Sequence, residues 1–217
     1  MAVLTDINYH SFIRGSGDLP RRFVISLSGT FPHGAVLLLV AVMQLCCFPA
    51  VALEGNYLIV ITKSTRELVV MQEDRVIKKY MIAYGKGHGL TKRQIGDYNT
   101  PTGSYRIVKF KPDSKFFFFM QLDYPNLLDA WYGYKDNIIS STDFRDIAAA
   151  FKNHQAPPQD TRLGGYIGIH GLGEVNADAL KIHQTGNWTD GCIALKNEEI
   201  NELRRYVSIG TSIIIRP

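Results

Sequence analysis

The sequence predicts a β-rich α+β domain that begins near residue 55 and ends at residue 217. Its first half consists of short segments in which β-branched and aromatic residues alternate with polar ones, a period-two pattern typical of strands. Helical patterns are few and come late in the chain, and no internal repeat or low-complexity stretch is present. Together these observations favour one folded domain built mainly from strands.

Five strands are predicted before the first helix. Three of them share residues 56–85, with polar turns at 63–65 and 72–74, and two more follow at 104–112 and 115–125. Residues 86–103 contain four glycines among polar residues and predict a loop. The four adjacent phenylalanines, 116–119, indicate burial on both faces of a strand or the wall of a site, and we expect core positions for them.

The later elements are shorter. Residues 141–153 have helical spacing and a cap at Ser141 or Thr142, and the residues up to His170 form a short strand. Asn176 caps a brief helix over 176–184. Asn197 caps another over 198–207, which Gly210 stops, and residues 211–217 close the domain as a strand.

Residues 1–52 are expected to form a signal peptide or membrane anchor. Arg21 and Arg22 precede an apolar run at 35–43, and a small-x-small triplet follows at 50–52. This order is that of a secretory signal. The run is short for a membrane span of about 20 residues, although counted through Leu53 it is long enough for an uncleaved anchor. In both interpretations the domain lies in the periplasm or cell envelope.

Composition limits the classes of function. The chain has 217 residues, 46% of them hydrophobic and 20% charged, so wholesale disorder is excluded. The net charge is +4 with mixed signs, and no dense basic block or basic-aromatic stripe indicates nucleic-acid binding. A mildly basic protein suits an anionic polymer such as a cell wall.

Cys192 is the one cysteine of the predicted domain, since Cys46 and Cys47 lie in the apolar N-terminal segment. A lone thiol in an oxidising compartment is a liability unless it is used. Gly191 before it permits a tight bend from which the thiol projects and whose amides can receive an oxyanion. A helix beginning near Asn197 would favour the thiolate.

A thiol nucleophile needs a base that also returns the proton, and an imidazole supplies both functions. His170 is the first candidate, because it ends a strand and enters the glycine turn 171–173. His183 is the rival. We expect it in a short helix or loop, where its position is less controlled.

These residues resemble the L,D-transpeptidase catalytic domain family of the YkuD type. The resemblance rests on IHG at 169–171, T-x-G-C-I-x-L at 189–195, GDYNTPTG at 96–103 and FFFFMQLDYPN at 116–126. The wording WTDGCIAL resembles a YafK-like branch. The match covers about residues 56–217 and implies a mixed β-sheet sandwich with a few short helices.

The resemblance also implies roles. Cys192 would attack the carbonyl of meso-diaminopimelate in a tetrapeptide stem and expel D-alanine, and His170 would act as base and then as acid. The backbone of Gly171 would orient His170, and the amides of Gly191 and Cys192 would form the oxyanion hole. Thr189 would shape the loop. No metal or cofactor is implied.

Asp190 departs from the family, which usually has a histidine at this position. Its charge would oppose thiolate formation, or it would hold His183 or bind a cationic substrate amine. Trp188 either stacks on a sugar or packs inside the protein. We therefore take Trp188, Thr189, Asp190 and His183 as candidate substrate-binding residues.

The expected function is a cysteine-dependent L,D-transpeptidase that acts on peptidoglycan stem peptides, for crosslinking or for attachment of a wall protein such as a lipoprotein. A hydrolase of the same family is the alternative within the enzymes. A peptidoglycan-binding module without turnover is the alternative of another class. Membrane contact is expected only through the N-terminal segment.

Overall fold

The computed structural model describes residues 56–217. The predicted signal or anchor over 1–52, with its arginines and two cysteines, lies outside the described residues. Within residues 56–217, no helix is long and apolar enough to cross a membrane.

Eight strands of the described chain form one mixed sheet in the order β3-β2-β1-β8-β4-β5-β6-β7. The strands are β1 (Tyr57–Thr62), β2 (Glu67–Gln72), β3 (Arg75–Met81), β4 (Gly103–Ser114), β5 (Phe117–Leu122), β6 (Gly168–His170), β7 (Ile193–Ala194) and β8 (Ser212–Arg216). The pairs β1–β8 and β6–β7 are parallel, and the other neighbours are antiparallel. All the predicted strands are confirmed.

The sheet encloses one main core. Buried side chains from strands of both halves meet in a single cluster that includes Ile59, Leu68, Met120 and Ile169. A bridge between Ala83 and Ala194 links the chain just after β3, at one end of the strand order, to β7 at the other. The predicted β-rich sandwich is therefore confirmed, and its two ends meet at β7.

Four short helices lie in the described chain: α1 (Leu127–Lys135), α2 (Ser141–Lys152), α3 (Ala177–Thr185) and α4 (Asn197–Leu203). Helix α1 was not predicted from the sequence. Capping boxes begin α1 at Asn126 and α2 at Ser140, since each cap accepts a backbone amide from the first turn. The two helices enclose a small second core with Ile147 and Leu163.

Two predicted helix boundaries are wrong. The cap of α2 is Ser140, one residue before the candidates named from the sequence. The cap of α4 is Lys196, whose amide is held by Glu199, and the helix ends at Leu203, well before Gly210. Asn197 does not cap this helix, because its side chain binds the loop at residues 172–173. Asn176 caps α3 as expected.

Candidate active site

His170 and Cys192 project from the same face of the sheet. The parallel pairing of β6 and β7 places Ile169 beside Ile193 and His170 beside Ala194. Continuing that register by one residue places Gly168 beside Cys192. Because side chains two residues apart on a strand share a face, the thiol and the imidazole lie on one side of two neighbouring strands.

A tight bend presents Cys192. Gly191 has a φ of +133°, and a Cβ at this position would lie 2.9 Å from the Asn99 carbonyl oxygen. A side chain is therefore excluded here by conformation and by space. Thr189 closes the bend, because its Oγ1 donates to the Cys192 carbonyl at 2.6 Å and accepts the Gly191 amide at 3.2 Å.

The glycine-rich loop before β4 supports this bend from outside. The buried Thr100 donates its hydroxyl to the Gly191 carbonyl at 2.9 Å and accepts the Gly85 amide at 2.8 Å. Asp97 fixes the loop by accepting backbone amides, including that of Asn99 at 3.1 Å, and by pairing with Lys92 Nζ at 3.0 Å. The GD-x-x-TP motif thus supports the loop that carries Cys192. This contact was not predicted from the sequence.

The thiol of Cys192 is neutral in this environment. Its Sγ donates to the Tyr166 carbonyl at 3.3 Å. Burial raises the pKa of Cys192 to about 11, with a smaller rise from Asp190, against the opposing effects of the Gly168 amide and Lys92. A thiolate, which a nearby helix start was expected to favour, is therefore disfavoured overall because burial dominates.

His170 is buried and neutral. Its Nδ1 lies 2.6 Å from the Gly171 carbonyl oxygen. Since a carbonyl only accepts, Nδ1 carries the proton and Nε2 keeps a free lone pair. Burial lowers the pKa of His170 to about 4; the bond to Gly171 opposes this shift, and His183 adds to it. The ring is therefore in the form that can take a proton.

Aromatic rings enclose the imidazole. Phe116 stacks on His170 with ring centroids 4.4 Å apart, Phe119 lies at 6.2 Å, and Trp188 packs edge-on at 6.0 Å. Of the four phenylalanines, Phe118 is in the core. The expectation of core positions is therefore wrong for Phe116 and Phe119, which form part of the site wall, and for Phe117, which is exposed.

Of the alternatives considered for Asp190, holding His183 is excluded. Asp190 pairs instead with Lys86 Nζ at 2.9 Å, and both side chains are largely exposed. His183 lies on α3 and is fully buried, so its position is well controlled, but its ring does not contact the solvent in which a substrate would bind. Burial also lowers the pKa of His183, followed by the nearby Arg66 and Lys196 charges.

Asn197 was expected to cap a helix, but its side chain belongs to the site. Its Oδ1 accepts the amides of Leu172 at 2.8 Å and Gly173 at 3.3 Å, and its Nδ2 donates to the Gly173 carbonyl at 2.8 Å. A Cβ at Gly171 would lie 2.5 Å from Asn197 Oδ1. Asn197 therefore holds the turn whose carbonyl orients His170.

A cleft of about 550 Å³ opens beside Cys192. Apolar rings and three lysines line it; the lining residues are Lys109, Lys111, Ser114, Lys115, Phe116, Phe119, Gln121, Tyr166 and Cys192. A nucleophile with a neutral base thus lies at the edge of a cavity large enough for a short peptide.

Comparison with known proteins identifies relatives of this arrangement. A family model described as the L,D-transpeptidase catalytic domain, YkuD, matches residues 56–215. No curated protein sequence matches the chain.

Several solved structures are similar in fold, among them three at low sequence identity. Bd1075 from Bdellovibrio bacteriovorus has 22% identity and a TM-score of 0.45, covering 74% of this chain and 48% of its own. The helical cell shape determining protein Pgp2 from Campylobacter jejuni has 22% identity and a TM-score of 0.47, with 74% and 47% covered. L,D-transpeptidase 3 from Mycobacterium tuberculosis, in complex with a faropenem-derived adduct, has 15% identity and a TM-score of 0.41, with 75% and 60% covered. The chain thus spans about half the length of the first two.

Proposed function

Because the chain belongs to the L,D-transpeptidase catalytic domain family, we propose that it is a cysteine-dependent acyltransferase acting on peptidoglycan stem peptides. The observation that carries this proposal is the placement of Cys192 and His170 on one face of paired strands, with Nε2 of His170 free to accept a proton. The family model supports a peptidoglycan-modifying enzyme. The cysteine chemistry is our own inference from the site.

In the proposed first step, Sγ of Cys192 attacks the carbonyl of the meso-diaminopimelate residue in a tetrapeptide stem. His170 Nε2 takes the thiol proton as the carbon–sulfur bond forms. The tetrahedral intermediate then collapses, the peptide bond breaks, and His170 returns the proton to the departing amine of D-alanine. The product is a thioester of the shortened stem on Cys192.

In the second step an amine attacks the thioester carbonyl, His170 takes the proton of that amine, and Cys192 leaves as a thiol. Asp190 supports an amine acceptor, because its exposed carboxylate lies two residues before Cys192. An incoming ammonium group would compete with Lys86 for that carboxylate. Trp188 contributes by packing against the His170 ring, and Thr189 contributes by closing the bend. His183 is fully buried and would act on the site without contacting the substrate.

The oxyanion hole is proposed to use the amides of Cys192 and Gly191. The Gly191 amide donates to Thr189 Oγ1 at 3.2 Å, which is a long bond. It would exchange that bond for the developing oxyanion, and Thr189 Oγ1 would keep its shorter bond to the Cys192 carbonyl.

The setting that fits this chemistry is the cell envelope, where peptidoglycan is located. A wall-attached lipoprotein is a second proposed partner, either as the amine acceptor or as the bound protein that is released. The membrane would be reached through residues 1–52, which lie outside the described residues.

A peptidoglycan-binding module without turnover is the second candidate. The burial that raises the pKa of Cys192 to about 11 favours it, because an inert buried thiol has the same property. Turnover of a stem peptide separates the two candidates.

The first prediction concerns turnover. Purified protein mixed with muropeptide tetrapeptides should release D-alanine, with mass spectrometry identifying the products. Cys192→Ala and His170→Gln should each reduce kcat by about 10³-fold or more, because nucleophile and base act as a unit. Adding an amine acceptor separates transfer from hydrolysis.

His88→Gln is the matched control, since His88 is exposed on the glycine-rich loop and should be dispensable. Unchanged turnover in Cys192→Ala contradicts the proposal. Binding of muropeptides without any turnover supports the module instead.

A further inference from the structure

Two rows of side chains cross the cleft face of the sheet. In the first, Lys111 lies opposite Phe119, and Phe119 opposite His170. In the second, Lys109 lies opposite Gln121, and Gln121 opposite Gly168. The parallel register of β6 and β7 continues this second row to Cys192. Directly paired residues on neighbouring strands point to the same side. One row therefore runs from Lys111 to His170, and the other runs from Lys109 to Cys192.

The ring of Phe119 fills the middle of the second row. Gly168 carries no side chain, and a Cβ there would lie 2.6 Å from the ring of Phe119. Phe119 therefore covers Gly168, and the cleft extends over this ring between Gln121 and Cys192, which both line it. An extended peptide lying across β6 can have its reacting carbonyl at Cys192 and another group near Gln121.

Gln121 is a polar side chain of the cleft without a hydrogen-bond partner in the described residues. It is only 8% exposed and it lines the cleft. Its amide makes no hydrogen bond with any other residue in the described range 56–217. Neither amide atom of Gln121 is among the fully buried polar atoms without a partner in the described residues, so the amide faces the water of the cleft. A ligand in the cleft can replace that water as a hydrogen-bond partner.

All the charged side chains that line the cleft are positive. Lys109, Lys111 and Lys115 line it, and no acidic residue is among its described lining. The ion pairs of the described chain do not include these three lysines. Their positive field is therefore not cancelled locally, and it favours an anionic ligand.

From these observations we propose that Lys109, Lys111 and Gln121 form a subsite for a carboxylate of the donor peptide remote from the bond that is cleaved. This inference rests on the proposed function and names a specificity of the same site. The lysines supply charge, and the Gln121 amide donates a hydrogen bond to a carboxylate oxygen.

The strand spacing indicates which carboxylate is meant. Lys109 and Cys192 are three strand spacings apart, about 14 Å. Because both side chains stand roughly perpendicular to the sheet, a carboxylate held by Lys109 lies well away from the carbonyl carbon that Cys192 attacks. The carboxylate of the departing D-alanine is only a few bonds from that carbon, which is too near. The free α-carboxylate of the preceding D-glutamate and the side-chain carboxylate of diaminopimelate both lie more bonds away from that carbon.

The second prediction tests this subsite by binding to the Cys192→Ala protein, which cannot turn over. Calorimetry would compare three tetrapeptides: one with both remote carboxylates free, one amidated at D-glutamate, and one amidated at the diaminopimelate side chain. We expect amidation at one position to weaken binding about tenfold, because a charge-assisted contact is lost. In Lys109→Met/Lys111→Met, the free and amidated peptides should bind equally weakly.

The matched control is Lys79→Met/Lys152→Met, which removes the same charge from exposed positions outside the cleft lining. An equal loss of affinity in both double variants, or no effect of either amidation, overturns the subsite. Turnover of the wild-type protein is measured in parallel. Turnover with a KM that ignores both amidation and the cleft lysines contradicts the subsite alone, whereas carboxylate-dependent binding without turnover contradicts the proposed function alone.

Discussion

At the scale of single residues, the main property of the site is that both reactive groups are neutral. Burial raises the pKa of Cys192 to about 11 and lowers that of His170 to about 4. The resting pair is therefore a thiol and an imidazole at neutral pH, and the proton moves only when the substrate is attacked. Below a pH of about 4 the imidazole takes a proton from solvent and can no longer act as a base.

The third prediction follows from these two shifts. Alkylation of Cys192 by iodoacetamide needs the thiolate, so its rate should rise about tenfold per pH unit between pH 7 and 10. Over pH 5.5 to 9, kcat/KM for the tetrapeptide should stay nearly constant, since the neutral pair persists throughout. The measurement is a pH series of both rates on the same protein.

Asp190→Asn is the informative variant. Burial, the main cause of the raised pKa of Cys192, is kept, while the smaller contribution of the Asp190 charge is removed, so alkylation should be slightly faster at each pH. An alkylation rate that already levels off near pH 7 contradicts the neutral-pair description.

The site residues that the sequence could predict are those with a local reason. Gly191 before Cys192 predicts a bend, and the structure needs a glycine there. Partners distant in sequence were not predictable: Asp190 binds Lys86, which lies on the glycine-rich loop, and not His183. Local pattern identifies a bend or a strand end, but only the fold decides which charges meet across it.

At the scale of elements, the strands were predictable because alternation along a strand reports which face is buried. Helix α1 was missed because Trp131 and Gly133 are weak helix formers and its apolar residues are largely exposed. The available signal was the capping pair of Asn126 and Asp129. Asn197 was wrongly predicted to be a cap, because asparagine is a common capping residue. Its side chain binds the turn after β6 instead.

The fourth prediction concerns that turn. Asn197→Ala removes three hydrogen bonds to residues 172–173 and should let the Gly171 carbonyl move away from His170 Nδ1. We expect kcat to fall by about tenfold or more with little change in KM, because small displacements of a base are costly. The free energy of unfolding should fall by about 1–2 kcal/mol.

Asn201→Ala is the control, since Asn201 lies exposed on the same helix and its side chain accepts a hydrogen bond from Arg204. A kcat for Asn197→Ala equal to that of Asn201→Ala would show that the turn does not position His170.

At the scale of the whole described domain, the sandwich brings the two ends of its strand order together at the site. The bridge from Ala83 to Ala194 joins the chain after β3 to β7, and Thr100 connects the following loop to Gly191. The nucleophile bend is thus held by segments nearly 100 residues apart in sequence, as the Thr100–Gly191 separation of 91 positions illustrates. Alternation predicted the strands, but it contains no information on which ends of the sheet meet.

The central claim, that Cys192 forms an acyl-enzyme with His170 as its base, is tested most directly by intact-protein mass spectrometry. The protein is mixed with a tetrapeptide, quenched in acid within seconds and digested to locate any adduct. The account predicts a mass increase equal to the donor less D-alanine, located at Cys192, absent in Cys192→Ala and formed much more slowly in His170→Gln. Release of D-alanine without an adduct at Cys192, or with Cys192→Ala as active as the wild type, would contradict it.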